Sequence, residues 1–324
     1  MKTIIKYRFW ILAITIVSAC ISSCAVDNRS YTTQMHQLPT ELPLTDVCLA
    51  NNAIYVAAGD LFTVGLLLKS MDQGATWDTV STYSQGLNSL SFTNGILSVS
   101  ESGRKFHTTT DFVNWSTEQA TFGWWDWHSH LRLNDNRVLL VGGVNFGRGY
   151  LHTKKPNETT FSLQDTFFHE IRDLVQTPNR MLHAVGYGVV LKSIDEGYSW
   201  SVDDVYGDFF RGVDFPSDEI GYVVGEHGVV YKTTNRGDSW QKCRGGNTVF
   251  PNPDRQFRDV AFWDEENGFI VGTGNLAYRT DDGGAVWKEI NNWDGYGNFT
   301  RIRIFDNKAY LTAEVGQLLI VNLE

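Results

Sequence analysis

Residues 210–240, FRGVDFPSDEIGYVVGEHGVVYKTTNRGDSW, form a unit that the rest of the chain repeats. It contains strand-like runs at 212–215, 220–224 and 229–233, a Gly-bounded turn at 225–228, and a closing box from Thr233 to Trp240. Apolar residues alternate at period two, as in Val213/Phe215 and Val260/Phe262, which is strand patterning. The spacing between copies is roughly forty residues, the range that produces propellers and solenoids. No amphipathic helix of useful length is present in the repeat region.

The box recurs as SMDQGATW (Ser70 to Trp77), SIDEGYSW (Ser193 to Trp200), TTNRGDSW (Thr233 to Trp240) and TDDGGAVW (Thr280 to Trp287). A fifth copy, Thr109 to Trp115, is one residue short and lacks the glycine, while 132–164 and 299–324 keep the rhythm without a box. The leading Ser or Thr and the acid or amide two residues later (Asp72, Asp195, Asn235, Asp282) are suited to accept backbone N–H groups in a tight turn. The glycine allows positive φ. The tryptophans (Trp77, Trp200, Trp240, Trp287) begin the next strand and plug the layer beneath, so the box is a hairpin joining the third and fourth strands of a small sheet. These carboxylates are therefore structural. Seven units closing radially leave only short edges. The expectation is an all-β, seven-bladed β-propeller over 31–324, with a count of six or eight open because the third unit is weakly marked. The last unit lacks a fourth strand, and 31–38 is placed to supply it and close the ring.

Ahead of the repeat, Lys2, Lys6 and Arg8 precede an apolar run over 9–19 that is too short to span a bilayer, the pattern of an export signal. Ile21-Ser22-Ser23-Cys24 then resembles the bacterial lipobox; Val17-Ser18-Ala19-Cys20 also fits but truncates the apolar run. The expectation is a signal peptide over 1–23, a lipidated Cys24 and a linker over 24–30. That makes a lipid-anchored protein of the bacterial cell envelope, and Ala25 after the cysteine favours the outer membrane. Removing 1–23 deletes three basic groups and no acidic ones, moving the formal charge from −10 to −13. So acidic a body disfavours non-specific binding to nucleic acid or anionic lipid. Cys48 and Cys243, in different units, read as buried apolar fillers.

The boxes resemble the Asp-box, or BNR, repeat. The phrases GYVVGEHGVVYKTTNRGDSW and NGFIVGTGNLAYRTDDGGAVW resemble the photosystem II assembly-factor type of seven-bladed propeller, and the resemblance covers nearly all of 31–324. It implies the fold and, because relatives carry arginine-lined faces, a binding surface. More distant relatives include sialidases, xyloglucanases and the sortilin ectodomain, so the boxes speak for fold rather than function.

Ligands of such rings usually meet the face where each innermost strand begins. Aligning the units there gives Thr45, Asn88, His128, Arg172, Arg211, Arg258 and Thr300 at one equivalent position. Three arginines offer planar donor forks to carboxylate, phosphate or peptide carbonyl groups. The alternative is that Arg172-Asp173 and Arg258-Asp259 tie neighbouring blades. The segment 122–130 adds Trp124, Trp125, Trp127, His128 and His130. Three tryptophans in four residues exceed what alternating burial can use, so at least one is expected on the surface to stack on sugars or anchor a partner; a cap on the third blade is the other reading. The loops between second and third strands add Glu101, Arg148, Tyr187, Glu226, His227 and Glu314. No metal or cofactor is expected, because His128 and His130 have no third ligand nearby.

Two functions compete, beside the blander reading of a structural spacer with no ligand. One is a membrane-anchored, non-catalytic scaffold that binds a protein or envelope component through the Arg/Trp-bearing face (His128, Arg172, Arg211, Arg258, Trp124, Trp125, Trp127, Tyr187, Glu226, His227). The other is a glycan-binding or glycoside-hydrolase propeller, with Glu226 and Glu314 as the carboxylate pair. The absence of an Arg-Ile-Pro phrase and the presence of one propeller argue against the sialidase and xyloglucanase types.

Overall fold

The computed structural model describes residues 25–61, 63–119, 126–144, 146–203, 205–245, 256–293 and 297–323. Among these there is no helix; the strands form seven blades around one axis. The innermost strands of blades one to seven are Leu44–Ala50, Leu87–Thr93, Asp126–Arg132, Ile171–Gln176, Phe210–Asp214, Phe257–Phe262 and Phe299–Phe305. Each lies beside the next, and that of blade seven meets that of blade one. Apolar side chains on facing sheets fill the wedges between blades, as Phe269, Trp293 and Phe299 do between six and seven.

The ring closes as the sequence suggests. Thr33–Gln37 pairs antiparallel with Gln317–Asn322, from Thr33 opposite Val321 to Gln37 opposite Gln317, and supplies the fourth strand of blade seven. The supposed linker is different. Within it Ala25–Asp27 forms a fifth strand on blade six, parallel to Lys288–Ile290. The Asp27 carboxylate accepts the Arg29 N–H at 3.0 Å and the Tyr31 hydroxyl, and Arg29 pairs with Asp281. The Tyr31 ring packs edge-on against Trp293 at 5.3 Å. These partners lie far along the chain, so the polar stretch looks unattached in sequence. The segment 1–23, expected as a signal peptide, and Cys24 lie outside the described residues.

The boxes make the turns their chemistry predicts. In blade one, Gly74 N–H donates to Ser70 Oγ (2.8 Å), Thr76 N–H to Asp72 Oδ1 (2.8 Å) and Trp77 Nε1 to the Gly74 carbonyl (2.9 Å). Asp195, Asn235 and Asp282 accept the equivalent N–H groups in blades four, five and six. Bonds from the Thr76 hydroxyl and N–H hold the Asp72 carboxyl down at about 2, so its lone pairs are already committed to the turn. Trp77, Trp200, Trp240 and Trp287 pack on the sheets beneath. Cys48 and Cys243 are buried and unbridged, in blades one and five.

One irregularity recurs in every innermost strand. The pairing slips by one residue at Thr45, Asn88, His128, Arg172, Arg211, Arg258 and Thr300. A bulge re-aims its extra residue out of the ladder. In blades three to six room for it comes from a glycine opposite the preceding residue, as in Ile171 with Gly186 and Phe257 with Gly272; Ala58, Glu101 and Ala313 stand there in the others. A Cβ on Gly186 would lie 1.9 Å from the Glu170 carbonyl oxygen.

A buried histidine gives the fold an acid limit. His183 is fully buried in blade four, stacks on Phe215 at 4.0 Å, and neither ring nitrogen has a hydrogen-bond partner among the described residues. Burial pushes its pKa down to about 3. The unfolded chain therefore takes up this proton first as pH falls. The stability from keeping the ring neutral is intact above pH 6.5 and drains away toward pH 3, about 2–3 kcal/mol by pH 4.5. His183→Met should move the acid-unfolding midpoint, followed by tryptophan fluorescence, to lower pH; an unmoved midpoint would contradict this.

Candidate functional site

The seven bulge residues surround the axis at the face where the innermost strands begin, and they divide by chemistry. The small polar ones stitch neighbouring blades together. Thr45 Oγ1 donates to the Leu87 carbonyl (2.6 Å), Asn88 Nδ2 to the Trp127 carbonyl and Thr300 Oγ1 to the Leu44 carbonyl (2.5 Å). His128 does the same by side chain, with Nε2 2.5 Å from Glu170 Oε1 of blade four. Blades four, five and six carry arginines instead, and among the described residues none of the three makes such a stitch to the following blade.

Two of those arginines are matched by built-in anions. Glu170 also accepts Arg172 Nη2 (2.7 Å) and the Phe146 N–H (2.9 Å). Burial opposes its ionisation, but the hydrogen bond from His128, the Arg172 charge and the Phe146 N–H hold it at about 2. Burial, reinforced by the Arg172 charge, pushes His128 down to about 4. His128 is thus neutral at pH 7, donating from Nε2 to Glu170 and accepting Arg172 Nη1 at Nδ1 (3.4 Å). Arg211 binds Glu226 through Nε (2.5 Å) and Nη2. Arg258 differs: among the described residues it makes no hydrogen bond or ion pair. Its pKa is lowered by burial and then by Arg211, with Glu226 and Glu314 acting the other way. The mouth is therefore not the bare cationic face that the sequence suggests. It is a charge-matched rim with one guanidinium left to donate.

Beside it stands an aromatic wall of which sequence reading named only Tyr187 and, at its margin, His227. Phe146, Tyr187 and Phe209 meet at centroid distances of 5.8, 5.7 and 3.8 Å, with His169 and His227 at the margins. Phe146 is half exposed. The wall joins the arginine cluster through backbone bonds: Tyr187 N–H to the Glu170 carbonyl and Glu226 N–H to the Phe209 carbonyl, both 2.9 Å. Asp208 holds His227 by its ring Nδ1 (2.6 Å) and backbone N–H (3.1 Å). Phe209 directly precedes a strand and Phe146 sits in a loop, so neither follows the alternation that marks core or surface.

One residue further along each innermost strand, the axis is plugged. Arg301 of blade seven reaches across to Asp173 of blade four at 3.1 Å and lies 3.9 Å from Asp259; Arg303 meets Asp46 at 3.2 Å and Asp259 at 3.4 Å. Asp46 and Asp259 also accept backbone N–H groups of the next blade, from Leu90 (2.9 Å) and Ile302 (3.0 Å). Asp173 and Asp259 are thus partners of Arg301 and Arg303 rather than of the arginines adjacent in sequence. Arg–Asp pairs thus do tie blades, but through Arg301 and Arg303 of blade seven and not through Arg172 or Arg258.

Other expectations are corrected too. Trp127 is fully buried, its ring edge-on to His152 at 4.7 Å, so it is not a surface anchor. It occupies the position before the bulge, where Leu44, Leu87, Ile171, Phe210, Phe257 and Phe299 are buried in the other blades. Trp124 and Trp125 lie outside the described residues. Glu101 is buried against His107 (3.2 Å), and Glu314 accepts Asn298 Nδ2 (2.9 Å). Glu226 is engaged by Arg211, and both Glu226 and Glu314 act on the charge of Arg258. No cluster of three metal-ligating side chains occurs among the described residues.

The chain matches no family model and no curated protein sequence. Solved structures do match. YCF48 bound to a D1 peptide aligns with a TM-score of 0.73 at 16% identity over 96% of this chain and all of that one. In fold this chain resembles YCF48. YCF48 from Cyanidioschyzon merolae aligns at 0.71 and 17% identity over 90% of this chain and 99% of its own. A catalytically inactive virginiamycin B lyase from Staphylococcus aureus, with quinupristin, aligns at 0.73 with 8% identity over 91% of this chain and 100% of its own. Identities this low speak for architecture, and the architecture is the seven-bladed YCF48-like ring.

Proposed function

We propose that this protein is a non-catalytic binding propeller that takes a segment of a protein partner on the mouth formed by Arg172, Arg211, Arg258, Phe146, Tyr187 and Phe209. One observation carries the reading: the half-buried Arg258 guanidinium has no partner among the described residues, in a mouth where Arg172 and Arg211 do. A guanidinium so placed favours a carboxylate or peptide carbonyl, while an aromatic wall favours apolar side chains; a peptide offers both. The YCF48 structure with a D1 peptide is a precedent on the same fold. Lipidation at Cys24 would hold this scaffold at the cell envelope.

The test is selection of a random peptide library displayed on phage against the soluble Cys24→Ser protein. Enriched sequences should combine acidic and apolar residues, and Phe209→Ala should weaken them about tenfold, the worth of one aromatic anchor. Failure to enrich any sequence, or binding indifferent to Phe209→Ala, would contradict the reading. A sugar ligand would instead appear on a glycan array.

A further inference from the structure

We propose that the protein rests on its membrane with the box-bearing face down and the arginine mouth turned away. The inference rests on the anchoring at Cys24 proposed above and extends it to orientation. It begins with strand direction. Each third strand runs toward the box face and each fourth strand leaves it, so Lys288, next to the box tryptophan Trp287, starts its strand at that face. Ala25–Asp27 runs parallel to this strand, with Ala25 opposite Lys288. The residue after Cys24 is therefore already fixed at the box-side rim of blade six.

Slack is the quantity that matters. A residue spans at most about 3.5 Å, so a lipid on Cys24 leaves almost no tether between bilayer and body. The short strand is secured beyond its own ladder by Arg29 with Asp281, by Tyr31 with Asp27 and by Asn292 Nδ2 with the Arg29 carbonyl (3.2 Å). A second observation concerns the face itself. The box turns of blades one, two and four carry apolar tips, Met71, Val113 and Ile194, exposed by 61, 76 and 75%. Side chains projecting from turns contribute nothing to their own blade. Distributed around the rim with the lipid exit at blade six, they define a plane that lipid headgroups can meet. The mouth, on the opposite side of the disc, then faces the compartment where a partner would be met.

The experiment uses the full lipidated chain in phosphatidylcholine vesicles with brominated acyl chains. A fluorophore is placed at Ile194→Cys, on the box face, or at Tyr206→Cys, 61% exposed in the loop leading to the mouth. Cys48 and Cys243 are buried and stay unlabelled. Mass spectrometry of the amino-terminal peptide first establishes whether Cys24 carries lipid. With lipid present, the label at 194 should be quenched several-fold more than the label at 206, and Met71→Ser/Val113→Ser should reduce that difference. Equal or reversed quenching on a lipidated chain would overturn the orientation and leave anchoring standing. An unmodified Cys24 would overturn the anchoring and the orientation with it.

Discussion

Replacing Arg301 with methionine should lower the unfolding free energy by about 3–5 kcal/mol at neutral pH, the cost of leaving buried charges without their counter-ion. Arg301 is almost fully buried, and Asp173 and Asp259 are its partners across the axis. Burial tends to lower its pKa, but those two carboxylates and Asp46 raise it overall. Asp259 is pushed up by burial to about 6 even with Arg301 present. Because the folded-state pKa lies above the unfolded value, ionising Asp259 costs stability as pH rises from the ordinary carboxylate range through 6. Removing Arg301 deepens that cost. The gap between wild type and variant should therefore be widest above pH 7 and narrow toward pH 5, in urea titrations at both values. A gap under about 1 kcal/mol, the size of an ordinary substitution, or one that widens in acid, would show that the axial plug does not hold the ring.

The second large effect concerns binding. Arg258→Ala should leave stability within about 0.5 kcal/mol, as for a side chain without structural bonds. It should weaken a selected peptide about 10- to 100-fold, the worth of a charge-assisted hydrogen bond. Arg236→Ala, in a box turn and paired with Glu219 at 3.1 Å, should leave the affinity unchanged. Glu226→Gln should tighten acidic peptides, because it frees Arg211 from the anion that now occupies it. Titration calorimetry on the three variants separates these outcomes. Unaltered affinity in Arg258→Ala would remove that guanidinium from the site.

How much of this was legible in sequence follows from the range of the interactions. Box hydrogen bonds are local, so Ser70, Asp72 and Gly74 could be assigned their roles from spacing. The seven mouth positions follow from repeat alignment, because a bulge held at one register in every blade keeps its place in the repeat. Carrying the alignment back one residue would also have buried Trp127, since every counterpart is a core side chain. Contacts across the axis are another matter. Asp173 sits beside Arg172 in the chain but meets Arg301, as strand alternation and the bulge send neighbours in different directions. Glu170 and Phe209 lie just before innermost strands, where period-two patterning stops, and so the anion under Arg172 and the wall around Tyr187 stayed hidden.

The central claim is that ring closure brings arginines from separate stretches of chain to one mouth that takes a peptide. A selected peptide carrying a benzophenone photo-crosslinker tests it most directly, with attachment sites mapped by mass spectrometry. Crosslinks should fall at Phe146, Tyr187, residues 208–212 and residues 256–259. Crosslinks concentrated at the box turns, such as Met71 and Ile194, or along the outer strands near Val202, would contradict it.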